Sequence, residues 1–173
     1  MNNMEFSPQE RILSVLFVDP QATLTLRDVA KESKLSPATI AKYIKEMTSE
    51  KLISVKERKN AFDITLEHNE TTKQLHRIYN LRSILTCEIV QELQEKLSPE
   101  CIVLTGAYAK GEDDAKSNIE IMILNGKDVN INLSKYNSKL KRNIVLKIIK
   151  TQTKDIKNDL ANGIVLAGQL VIA

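Results

Sequence analysis

The stretch Leu24-Thr25-Leu26-Arg27-Asp28-Val29-Ala30-Lys31-Glu32-Ser33-Lys34-Leu35-Ser36-Pro37-Ala38-Thr39-Ile40-Ala41-Lys42-Tyr43-Ile44 decides how the first third of the chain folds. Leu26, Val29 and Ala30 share one helical face, so Thr25–Ser33 is a short helix. Lys34-Leu35 is a turn. Ser36-Pro37 is a capping residue followed by the one residue type pre-set for a first helical turn. The helix it opens, Pro37–Ser49, turns Ile40, Tyr43 or Ile44, and Met47 inward and Thr39, Lys42, Lys45 and Glu46 outward. Working outward, Ser7-Pro8 opens a helix over Gln9–Val18 with Ile12, Leu13, Leu16 and Phe17 on one face, and Asp19-Pro20 closes it. Ala22–Leu24 is extended. After the helices the period changes to two, with Leu52, Ser54 and Lys56 alternating with Ile53, Val55 and Glu57. Arg58-Lys59-Asn60-Ala61 is polar, and Phe62–Leu66 alternates again, which makes a hairpin.

Three helices and a hairpin carrying Leu26-Arg27-Asp28-Val29-Ala30, Leu35-Ser36-Pro37-Ala38-Thr39-Ile40 and Tyr43-Ile44 resemble a winged helix-turn-helix domain. The resemblance implies that Val29 and Ala30 pack one helix on the next and that Leu35 plugs the turn. Ser36 then caps a reading helix whose amide end favours a DNA phosphate. It makes Ser36, Ala38, Thr39, Lys42, Tyr43 and Lys45 candidate DNA contacts, with Thr39 and Lys42 near base edges. Lys56, Arg58 and Lys59 are the wing contacts to backbone or minor groove. Residues 34–59 carry seven Lys/Arg against three Glu. The reading helix has no arginine, so it lacks a bidentate guanine contact. A protein-interaction role for the same fold is the alternative.

Thr71–Leu97 reads as one long helix. Thr71 and Gln74 fit a capping box. Leu75, Ile78, Leu81, Leu85, Ile89, Leu93 and Leu97 recur at three or four residues, and Ser98-Pro99 stops the pattern. A helix of that length bridges two domains or pairs two chains.

From Cys101 the pattern is α/β. Cys101–Thr105 and Ile119–Leu124 are apolar strands around a polar Gly106–Ser117 segment. Val129–Leu133 is a strand or a helix start, Ser134–Lys141 a helix and Asn143–Ile149 a strand. Lys154–Ala161 is a helix stopped by Asn162-Gly163, and Ile164–Leu166 and Leu170–Ile172 are apolar ends. Val103-Leu104-Thr105-Gly106-Ala107-Tyr108-Ala109-Lys110-Gly111, then Ser117-Asn118-Ile119-Glu120-Ile121, and finally Asn162-Gly163-Ile164-Val165-Leu166-Ala167-Gly168 resemble the polymerase-beta-like nucleotidyltransferases, in particular small archaeal and bacterial members.

In that superfamily a Gly-Ser turn holds phosphate, and two aspartates at D-x-D spacing share a strand face and hold Mg²⁺ with a third, later carboxylate. Here Ala107 stands for the serine, Asn118 for the first aspartate and Glu120 for the second. No Asp or Glu lies between Asp128 and Asp155. A neutral amide is a poor Mg²⁺ ligand. The resemblance therefore implies a remnant nucleotide site at Gly106, Ala107, Lys110 and Gly111, with Asn118 and Glu120 as degenerate catalytic positions. Glu112, Asp113 and Asp114 read as a solvated loop, and His68 and His76 as too isolated for catalysis.

Composition fits this α+β reading. The 173 residues are 42% hydrophobic but only 4% aromatic, so the core is aliphatic; five Gly and four Pro argue against a loop-rich or all-β chain. The net charge of +3 hides a segment, 127–157, with nine Lys/Arg against Asp128 and Asp155, a candidate polyanion surface. Cys87 and Cys101 lack metal-ligand spacing and read as buried thiols in a cytoplasmic protein, and no apolar run reaches the length of a membrane span.

The expected organisation is a winged helix-turn-helix over 1–66, a linking or dimerising helix over 67–98, and a degenerate nucleotidyltransferase-like domain over 99–173. The expected function is a DNA-binding transcription regulator whose C-terminal domain dimerises or binds a ligand. Its expected partners are double-stranded DNA, a second copy, and a nucleotide or RNA, with no membrane, resident cofactor or metal. The alternatives are an active Mg²⁺-dependent nucleotidyltransferase modifying a nucleic acid or protein, and an interaction scaffold.

Overall fold

A computed structural model describes residues 6–58 and 61–172, and the chain divides into two compact units, Met1–Lys73 and Gln74–Ala173. In the first unit α1 (Pro8–Val18), β1 (Leu24–Thr25), α2 (Leu26–Ser33) and α3 (Pro37–Ser49) precede the hairpin strands β2 (Ile53–Arg58) and β3 (Ala61–Leu66). The caps are built as the sequence implies. Ser7 and Glu10 form a reciprocal capping box on α1, with Pro8 in the first turn. Thr25 and Asp28 form one on α2, and the Thr25 hydrogen bonds hold the Asp28 carboxyl below its usual range. The turn closes with Lys34 in the left-handed region, φ 55°. The Arg11 guanidinium of α1 donates to the Ser33 and Lys34 carbonyls there. It thereby satisfies acceptors that a helix C-terminus leaves open.

Ile12, Leu13, Leu16 and Phe17 of α1, Val29 of α2, and Ile40 and Met47 of α3 are buried. Leu52, Ile53, Ile64 and Leu66 of the hairpin and the residue before it are buried too. The sheet order is β1-β3-β2, all antiparallel, with Val55 opposite Ile64 and Lys56 opposite Asp63.

The second unit contains most of α4 (Glu70–Thr86), then α5 (Ile89–Leu97), β4 (Cys101–Thr105), α6 (Gly106–Lys110) and β5 (Ile119–Leu124). It ends with α7 (Ser134–Leu140), β6 (Ile144–Ile149), α8 (Lys154–Ala161) and β7 (Ile164–Gly168). The sheet order is β6-β5-β4-β7, with β5 and β6 parallel and the other pairs antiparallel. Alternation along β4 and β5 feeds two cores. Ile102, Leu104, Ile119, Ile121 and Ile123 pack with Ile84, Ile89, Leu93 and Leu97. Cys101, Val103, Met122 and Leu124 pack with Ile149 and Leu160 on the other face. Burial raises both thiols, Cys87 and Cys101, above their usual range. Glu92 of α5 ties α7 down. It accepts from Tyr136 Oη at 2.5 Å and pairs with Lys135 and Lys96 at 2.7 Å, and these donors lower its carboxyl to about 2. Gly168 at β7's end has φ 77°, and a Cβ there would lie 2.0 Å from the Glu100 carbonyl oxygen, so only glycine fits.

Several expectations fail here. The single helix over 71–97 is two, broken at Glu88, which adopts φ 69°. The apolar spacing continues through the break, so periodicity alone is blind to it. From Ile84 onward the segment packs into this unit's core. The cap lies earlier than Thr71: Thr72 N–H donates to Asn69 Oδ1 at 3.0 Å, and Asn69 N–H to Thr72 Oγ1 at 3.1 Å. The buried face of α4 is also the opposite one. Thr72, His76, Asn80 and Ile84 are buried, while Ile78 and Leu85 are 61% and 54% exposed. Finally, Val129–Leu133 is irregular.

Candidate nucleic-acid interface

The first unit presents α3 as its reading helix. Ser36 Oγ caps it, accepting from Thr39 N–H at 3.1 Å and lying 2.8 Å from Thr39 Oγ1. Ser36, Ala38, Lys42 and Lys45 are exposed, and Thr39 and Tyr43 half-buried. Lys42 Nζ lies 5.7 Å from the Tyr43 ring centroid, a spacing that steadies the ammonium over the ring face. These six residues therefore fall on the exposed side of the helix whose other side, Ile40 and Met47, is core. On the hairpin Lys56 and Arg58 are exposed. Arg58 Nε pairs with Asp63 Oδ2 of the neighbouring strand at 2.5 Å, which fixes the guanidinium over the wing while leaving it 73% exposed. Lys59 lies outside the described residues. The arrangement offers a helix N-terminus, hydroxyls and four cations to a polyanion, and its charged groups suit phosphate contact.

The second unit brings Gly106 and Glu120 together. Gly106 opens α6 at φ 74°, and a Cβ there would lie 3.2 Å from Glu120 Oε1. Thr105 and Glu120 are register partners across β4 and β5. The Glu120 carboxylate is not free: Lys147 Nζ of β6 pairs with it. The Asn118 amide oxygen accepts from Asn143 Nδ2 at 3.3 Å. Ala107 and Gly111 are in α6 and its cap, and Lys110 is exposed. Among the described residues no group of three His, Cys, Asp or Glu side chains is arranged to hold a metal. A Lys–Glu pair at the strand is the reverse of what a divalent cation needs, since the ammonium already supplies the compensating charge.

Asp113 corrects the reading of the acidic loop. Glu112 and Asp114 are exposed, but Asp113 is buried, its side chain 1% exposed. Asn80 Nδ2 donates to Asp113 Oδ1 at 2.5 Å and to the Tyr108 carbonyl at 3.0 Å. His76 Nε2 lies 3.3 Å from Asp113 Oδ1, and Arg142 Nη2 3.5 Å from Oδ2. Burial lowers the His76 pKa, with the Asp113 charge opposing that shift; burial raises Tyr108 and Tyr79. Neutral histidine beside an Asp–Arg pair is the charge state this favours at pH 7. Nothing in Glu112-Asp113-Asp114 distinguishes its middle member by sequence. Only the spacing of four between His76 and Asn80 hints at a polar buried face. Lys147 was also missed, although alternation from Ile149 back along β6 places it on the Glu120 side.

Residues 9–54 match the family model described as winged helix-turn-helix DNA-binding. No curated protein matches the sequence. Among solved structures, the zinc-responsive MarR family member ZitR of Lactococcus lactis is 25% identical with a TM-score of 0.42, covering 56% of this chain and 65% of its own. MepR of S. aureus, in its DNA complex, is 19% identical with a TM-score of 0.40, covering 53% and 76%. The chain thus spans about two thirds of the ZitR chain. No helix is long and apolar enough to cross a membrane among the described residues. With its three helices, capped α3 and β2–β3 wing, the N-terminal unit is a winged helix-turn-helix DNA-binding domain.

Proposed function

We propose that the chain is a transcription regulator that binds duplex DNA through α3 and the wing. The observation that carries this is the exposure of Ser36, Ala38, Lys42 and Lys45 on one side of a helix whose opposite side is locked into the core. Thr39 and Lys42 read base edges, and Ser36, Lys45, Lys56 and Arg58 hold phosphates. Lys59, next to Arg58 in the sequence, adds charge to the wing. The regulator acts as a homodimer. Support comes from the stripe Leu75, Ile78, Leu81 and Leu85 along α4, whose members at 78 and 85 are exposed, and two-fold pairing suits a two-half-site operator.

The C-terminal unit is, on this reading, a nucleotidyltransferase-like domain without transferase chemistry. The Glu120–Lys147 pair and the Asn118–Asn143 amide contact support that. A mobility-shift titration of the full chain on random duplex DNA tests the regulator reading. Binding that weakens as salt rises is expected, and absence of binding at low salt overturns it. Mg²⁺-dependent nucleotide incorporation abolished by Glu120→Ala overturns the inactive-domain reading.

A further inference from the structure

A groove of about 440 Å³ opens in the second unit where the loop before β5 meets the junction of α7 and β6. Its principal lining side chains are Lys116, Asn118, Asn137, Lys141, Arg142 and Asn143, and none of its lining residues is acidic. The volume falls within the range of small-molecule sites, but the usual apolar lining is replaced by cations and amides. The walls are held in place. Asn137 Nδ2 lies 3.4 Å from Asn143 Oδ1, whose own Nδ2 donates to Asn118 at 3.3 Å. Asn137 Oδ1 accepts the Ile144 N–H at 3.1 Å. Asp114, outside the lining, accepts from Ser117 Oγ and the Lys116 N–H at 2.9 Å each and so fixes the loop that carries Lys116. Arg142, its side chain 5% exposed, is anchored from beneath by Asp113.

We propose that this groove binds a small ligand bearing two or more phosphoryl groups. Lys116 and Lys141 are exposed at its rim, and Arg142 forms its floor. Three fixed or flexible cations around amide donors, with no carboxylate among the lining residues, match a multiply charged oxyanion. Gly106, Ala107, Lys110 and Gly111 do not line the groove, and neither do Glu120 and Lys147. The site is therefore separate from the Gly106–Gly111 turn, while Asn118, a position of the nucleotidyltransferase resemblance, lines it. It also stands whether or not the first unit reads DNA. A ligand here shares Arg142 with Asp113, which in turn holds His76 and Asn80 of α4.

Calorimetric titration of the full chain with pyrophosphate, and separately with ATP, tests the proposal. Saturable one-to-one binding is expected, weakened by about tenfold or more in the Lys116→Gln/Lys141→Gln double variant. Equal affinity for the two probes assigns recognition to phosphate alone, and tighter ATP binding adds the asparagine amides as readers of the nucleoside; either supports the site. Duplex DNA binding by the double variant should match the parent. No binding of either probe up to about 5 mM overturns the proposal. So does binding that survives the double substitution, and so does a loss of duplex affinity in the variant, which would make the groove a duplex surface.

Discussion

Replacing Asp113 by alanine removes the one carboxylate at the centre of a buried cluster. Its side chain is 1% exposed, and those of His76 and Arg142 are 3% and 5% exposed. The substitution takes from the Arg142 guanidinium its buried carboxylate partner and from Asn80 Nδ2 one of two acceptors, leaving the Tyr108 carbonyl at 3.0 Å. Deleting one member of a buried charge pair costs about 3–5 kcal/mol. With a urea m-value of about 1.5 kcal/mol/M for a unit of this size, that displaces the midpoint by about 2–3 M. Such a loss is a large fraction of the roughly 5–15 kcal/mol that holds a domain folded. Tyrosine fluorescence follows the event, because the chain has no tryptophan and three of its four tyrosines, Tyr79, Tyr108 and Tyr136, lie in the second unit. Asp114→Ala, at the next residue along the chain but exposed, is the matched control. A midpoint for Asp113→Ala no lower than that of Asp114→Ala would refute the reasoning.

Two further outcomes follow from α4. Burial depresses the His76 pKa below its ordinary 6.5, so the unfolded chain binds the proton more readily than the folded one. Its contribution to stability is complete above about pH 6.5 and falls as the pH drops below that value. Urea unfolding between pH 7.5 and 5 should show this slope in the parent and a flatter one in His76→Gln, and equal slopes would contradict it. Ile78→Glu combined with Leu85→Glu should convert a dimer to a monomer in sedimentation equilibrium without loss of helicity. A parent that is already monomeric at micromolar concentration would end the dimer reading.

The helix-turn-helix is legible in the sequence because its signals are local. Ser36-Pro37, the Thr25–Asp28 box and the inward Ile40 and Met47 each act within one or two turns. The strands at 101–105, 119–124 and 144–149 are legible for the same reason, as short apolar runs bounded by polar turns. Two features escaped because tertiary context decides them. Glu88 takes a left-handed conformation without glycine or proline to announce it, and α4 buries His76 and Asn80 in place of its leucines because Asp113 and the Tyr108 carbonyl await them. At the candidate site, periodicity turns Lys42 and Lys45 outward, whereas Ser36, Lys56 and Arg58 follow from the resemblance to a winged helix. That Glu120 is paired with Lys147 required the register of β5 against β6.

The most direct test of the account is the salt dependence of duplex binding by the full chain, read by anisotropy of a labelled random-sequence duplex. Four cations, Lys42, Lys45, Lys56 and Arg58, imply a slope of log affinity against log salt of roughly −3 to −4 per protomer. Lys42→Ala should weaken binding on every duplex and reduce that slope by about 1. Failure to bind at low salt, or affinities unchanged by Lys42→Ala and Arg58→Ala, would contradict the assignment of α3 and the wing as the DNA-reading surface.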